Sequence, residues 1–201
     1  MGPLPFLVLF FALASCTSVT SLAPVGLTPA LLAPGDFEGT WLTDDVAFSL
    51  EVAHTNGLLR LSWIEPSPDQ GGVPSPPGGK KPAADSLGRI PKAPPRFKSA
   101  LIEVRRFEDW TIANIQDPDH PERKNWFWAL MESAPGELRF RVPEASPFSN
   151  LVATGVLPGR FEGGSVVLDR LDSNALGRLR QAAKLPLWGT NELHWRRHGR
   201  H

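Results

Sequence analysis

Val46, Phe48, Leu50 and Val52 alternate along the chain with Ala47, Ser49, Glu51 and Ala53. That period of two turns the apolar side chains to one face of a half-buried strand. His54-Thr55-Asn56-Gly57 follows, and Asn-Gly predicts a tight hairpin because both residues tolerate positive φ. Leu59, Leu61 and Trp63 then alternate with Arg60 and Ser62. The same rhythm returns in Ala100, Ile102 and Val104 against Leu101, Glu103 and Arg105. It continues in Trp110, Ile112 and Asn114 against Thr111 and Ala113, with Glu108-Asp109 as the turn between. Residues 125–132 and 137–142 flank a hairpin turn at 133–136, with Leu138, Phe140 and Val142 on one side and Arg139 and Arg141 on the other. Residues 147–154 predict one helical turn, and 155–159 and 165–169 short strands joined through Gly163-Gly164. Asp172 or Ser173 caps a helix over 174–184, with Leu176, Leu179 and Ala183 on one face and Arg180 and Lys184 suiting its C-terminal dipole. Pro186 stops the helix, and 192–197 make a last strand. Eight or nine short strands, one late α-helix and no βαβ alternation predict a mainly β fold. Sequential antiparallel strands must close or cover their edges, so the expectation is a small antiparallel up-and-down barrel of about eight strands.

Two stretches break the rhythm. Residues 66–95 hold nine prolines and five glycines, too few apolar side chains to offset the entropy of ordering, and read as a disordered insertion. Residues 17–35 carry no charge, three prolines and two glycines. They read as a flexible tether with Leu31 and Leu32 resting on the domain. The expected organisation is a signal segment at 1–15, a tether at 16–35 and a single domain at 36–201. Lys+Arg and Asp+Glu both total 21; without a basic surplus, nucleic acid is not the expected partner. One cysteine, Cys16, allows no intrachain disulfide and no Cys-based zinc site.

Leu4 to Ala14 is an apolar run of about eleven residues, short of the roughly 20 a membrane-spanning helix needs and suited to the core of a secretory signal. Leu13-Ala14-Ser15-Cys16 follows. It resembles the lipobox of bacterial lipoproteins, although no Lys or Arg precedes the apolar run. The resemblance implies that the Cys16 sulfur takes a diacylglyceryl group, that the signal is removed, and that the membrane is a partner through this anchor. Thr17, where inner-membrane lipoproteins carry Asp, implies an outer-membrane protein facing the periplasm. Ala12-Leu13-Ala14 also fits ordinary signal cleavage, which gives a secreted protein with Cys16 as a free thiol.

Gly39-Thr40-Trp41 resembles the Gly-x-Trp signature of lipocalins and the opening of uncharacterised, lipocalin-like bacterial envelope proteins. It implies that Trp41 is structural and plugs one end of the barrel. Seven tryptophans are present, and Trp63, Trp126 and Trp128 are the candidate ligand contacts. Trp126 and Trp128 share one face of their strand with Phe127 opposite, so an aromatic is expected to face outward. The reading is a lipid-anchored module that binds a small apolar or amphiphilic ligand in a barrel cavity. The alternative is a filled barrel whose outer surface meets an envelope protein. No catalytic residue is expected: Gly-x-Ser-x-Gly and His-Glu-x-x-His are both absent. Asp117, Asp119, His120 and Glu122 offer oxygen ligands, but without the EF-hand Gly and distant Glu they read as a polar turn; no metal or cofactor is expected. Arg196, Arg197 and Arg200 read as a solvated basic end.

Overall fold

A computed structural model describes residues 18–43, 46–65, 96–116, 124–183 and 186–199. In chain order these form β1 (Val19–Ser21), β2 (Thr28–Pro29), α1 (Pro34–Phe37), β3 (Gly39–Leu42), β4 (Ala47–His54), β5 (Leu58–Glu65), β6 (Arg96–Phe107), β7 (Trp110–Gln116) and β8 (Trp126–Ala134). They continue with β9 (Glu137–Pro143), α2 (Ala145–Ala153), β10 (Gly159–Glu162), β11 (Ser165–Leu168), α3 (Ser173–Ala182) and β12 (Trp188–Arg197). The signal segment, Cys16, the Pro/Gly-rich insertion at 66–95 and the polar turn expected at 117–122 lie outside the described residues.

Alternation along β4 and β5 turns Phe48, Leu50, Leu59, Leu61 and Trp63 to one side, and these are buried together. Strands β3 to β9 pair antiparallel in sequence order, and β12 joins β9 to β3. The result is a closed eight-strand antiparallel barrel with Trp41, Phe48, Phe140 and Trp195 among its inner side chains. The expected barrel and the late helix are present. The helical turn expected at 147–154 is the full helix α2, and the short α1 also precedes the barrel.

The hairpin between β4 and β5 differs in detail from the sequence expectation. His54 pairs with Leu58, so the loop has three residues, and only Gly57 has positive φ (84°). Asn56 instead bridges to Leu31. Gly57 is required for space as well: a Cβ there would meet the Val104 carbonyl oxygen at 2.5 Å. A three-residue loop with glycine at the left-handed position is the next common hairpin after the two-residue form.

The tether reading is overturned from Ser18 onward. β1 pairs with β8 on one side and β11 on the other, β2 pairs with β6, and Val19, Val25, Ala30 and Leu32 are buried, while Leu31 is exposed. The reason is polar as much as apolar. Asn114 is wholly buried on β7; its Oδ1 accepts from the Val25 N–H at 2.7 Å and its Nδ2 donates to the Val25 carbonyl at 3.1 Å. Arg105 donates to the Gly26 and Leu27 carbonyls at 2.9 and 2.8 Å. Side chains far along the chain thus supply the hydrogen bonds that a Pro/Gly-rich segment cannot make locally.

A second apolar core lies outside the barrel wall. Trp110 and Ile112 of β7 and Trp128 and Leu130 of β8 point away from the barrel interior and are covered by β1, β11, α2 and α3. Asp172 caps α3 by accepting from the Ala175 N–H at 2.7 Å, and the helix buries Ala175, Leu176 and Leu179. Arg180, in its last turn, lies 5.0 Å from the Trp110 ring centre and 2.8 Å from Asp109. β8 divides its outer edge: Trp126 and Phe127 pair with β1, whereas Leu130 to Ala134 pair with β9.

Candidate functional site

The two ends of the barrel differ. At one end the chain runs from β2 through α1 beneath the strands. Trp41 is fully buried there, and its Nε1 donates to the Phe37 carbonyl at 2.6 Å. Arg197 lies 5.5 Å from the Trp41 ring centre, donates to the Gly35 carbonyl at 2.8 Å and also bonds the Glu38 carbonyl. Gly39 sits at φ 138°, and a Cβ there would press on the Arg197 Nε at 3.2 Å. Arg197 is therefore a clamp on the closed end and not part of a solvated basic tail; two backbone carbonyls and the Trp41 indole face hold the guanidinium in place.

The other end carries the finish of β5, the start of β6, the end of β7 and the start of β8. Trp63 and Lys98 are directly opposite on β5 and β6 and so face the same side. That side is the barrel interior, shared with Leu61, Ala100 and Ile102. Trp63 is 7% exposed, and its Nε1 is buried without a hydrogen-bond partner; Lys98 is half-buried. The wall beyond them is lined by small side chains, Ala100, Ala113 and Ala129, with Ala113 and Ala129 directly paired. The facing wall is aromatic: Trp195 stands 4.5 Å from Phe48 and 4.4 Å from Phe140, ring centre to ring centre.

The three expected ligand contacts separate. Trp63 lies inside the barrel, at the end away from Trp41. Trp128 is fully buried in the second core, 5.6 Å from Phe148 and 5.8 Å from Trp188, so it faces neither solvent nor the barrel interior. Trp126 is half-buried on the same outer face, where β8 meets β1. The outward aromatic face expected on β8 is largely covered: Phe127 turns in and packs on the barrel core, α2 and β12 cover Trp128, and only Trp126 keeps partial exposure. The most exposed aromatic among the described residues is instead Phe97, 79% exposed and directly opposite Ile64, 55% exposed, on the outer face of β5 and β6. Lys98 was missed as an inward residue, although it shares the parity of Ala100, Ile102 and Val104; its charge hid it from a purely apolar pattern.

Among the described residues no group of three His, Cys, Asp or Glu side chains is placed to hold a metal, and no helix is long and apolar enough to cross a membrane. On the outer face the hydrogen bond and charge of Arg139 hold the Glu137 carboxyl below its ordinary value; this is an exposed ion pair at 2.9 Å, remote from the barrel interior. No family model matches the chain, and neither the curated proteins nor the solved structures contain a match.

Proposed function

We propose that this is a lipid-anchored envelope protein of lipocalin-like character, held by an acylated Cys16 on the outer membrane, whose barrel takes a small amphiphile headgroup-last. The observation that carries the ligand reading is Trp63, whose unpartnered Nε1 lies inside the barrel beside Lys98, whereas the likewise unpartnered Trp128 Nε1 is enclosed in the second core. A buried N–H without an acceptor costs about 1–3 kcal/mol, a cost that a ligand oxygen at the barrel mouth removes. Lys98 beside it favours an acceptor with negative charge. The alanine-lined wall of β6, β7 and β8 suits an apolar chain, so the ligand class is an apolar body with an anionic or carbonyl head.

The test is a titration of the purified protein with a fluorescent long-chain fatty acid. Trp63→Phe keeps an aromatic ring and removes the N–H; Lys98→Met keeps length and removes the charge. A hydrogen bond to a charged group contributes about 1.5–3 kcal/mol, so each variant should bind roughly tenfold to a hundredfold more weakly. Equal binding by all three proteins, or no binding by any, counts against the reading.

The exposed Ile64–Phe97 pair favours the second reading, in which the outer face of β5 and β6 meets an envelope protein. In that case Phe97→Ser abolishes complex formation in membranes while the fatty-acid titration stays flat for every variant.

A further inference from the structure

We propose that the hairpin of β10 and β11, with Phe161 at its edge, is the face that the barrel lays against the lipid surface. This rests on the anchor reading of Cys16 and adds an orientation to it. Ser18 is fixed in place: its carbonyl accepts from the Val166 N–H at 2.8 Å, its N–H points to the Ser165 hydroxyl at 3.3 Å, and the two hydroxyls lie 3.0 Å apart. Only Thr17 separates Ser18 from Cys16. Two residues of fully extended chain span at most about 7 Å. An acyl group on Cys16 therefore acts as a very short leash, and the surface around Ser18 must lie at the membrane.

That surface has the chemistry for it. Val19 pairs with Val166, and Val166 with Phe161, so Phe161 lies two strand spacings, about 10 Å, from Val19. Phe161 is 56% exposed on β10, the edge strand of the sheet. Its neighbours Arg160 and Glu162 pair with each other at 2.9 Å, so the edge presents an aromatic ring flanked by self-neutralised charge. An aromatic beside the anchor partitions into the interface of a neutral bilayer without needing anionic lipid. The other exposed aromatic, Phe97, is on β6, two strands round the barrel from β8, where β1 attaches. At three strand spacings from β1, on the other side of it from β10, it serves as the control position farther from the anchor.

The experiment uses full-length protein purified from the envelope and reconstituted in phosphatidylcholine vesicles. Phe161→Cys and Phe97→Cys each receive an environment-sensitive fluorophore, Cys16 being blocked by its own modification, and intact mass reports the acylation. Both positions are exposed, and circular dichroism checks that both variants fold. Lipid-borne nitroxide should quench the label at 161 several-fold more than the label at 97, equally at low and high salt. An acylated mass with equal quenching at both positions overturns the orientation and leaves the anchor standing. A mass with unmodified Cys16 overturns the anchor and the orientation with it.

Discussion

Trp41 and Trp128 are both wholly buried but serve different cores, one at the closed barrel end and one between the wall and the helices. Cutting a buried Trp to Ala costs about 3–5 kcal/mol through lost transfer energy and the cavity left behind. Trp41→Ala and Trp128→Ala should therefore lower the urea midpoint by similar, large amounts, while the half-buried Trp126→Ala costs clearly less. A mild Trp128→Ala would contradict the second core. Asn114→Ala strips the Val25 N–H and carbonyl of their partners, and a buried orphan costs about 1–3 kcal/mol each; urea titration should show a loss at the scale of a core mutation although only a surface-type residue has changed. The role of Trp41 was legible because a short motif carried it. Asn114, Arg105 and Arg197 were not legible, because each acts on backbone groups dozens of residues away, and spacing along the chain says nothing about such partners.

At the scale of elements, alternation located the strands from β4 to β9 and α3 closely, since each has one dominant buried face or a clear cap. It failed on residues 18–32, where strands of two and three residues are too short to show a period. Deleting 17–32 removes the burial of Val19, Val25 and Leu32, about 5–9 kcal/mol at the usual value of a buried aliphatic side chain, against a typical total of about 5–15 kcal/mol. The shortened protein should be largely unfolded by circular dichroism at room temperature; a native spectrum and unchanged urea midpoint would restore the tether reading. The insertion at 66–95 invites the opposite result. β5 and β6 stay in register up to Ile64 opposite Phe97 and Glu65 opposite Arg96, so a short Gly-Ser turn can join them directly. Replacing 66–95 in this way should leave the melting temperature within a few degrees, and a large drop would show that the segment stabilises the barrel.

At the scale of the molecule, a chain with no charged side chain before Asp36 and a neutral remainder builds two cores back to back, sharing β7 and β8 as a wall buried on both faces. The barrel was legible from strand order and the absence of βαβ alternation. The second core was not, because a strand buried on both faces loses its alternation: in β7, Ile112, Ala113, Asn114 and Ile115 are all buried in succession. The anchor and the barrel belong to one proposal: an acylated Cys16 and an amphiphile held at Trp63. Native mass spectrometry of the protein extracted from its own membranes reads both at once. The expected result is a chain beginning at Cys16 and carrying acyl groups, with a noncovalent adduct that Trp63→Phe loses. A bare, unmodified polypeptide without an adduct would contradict it.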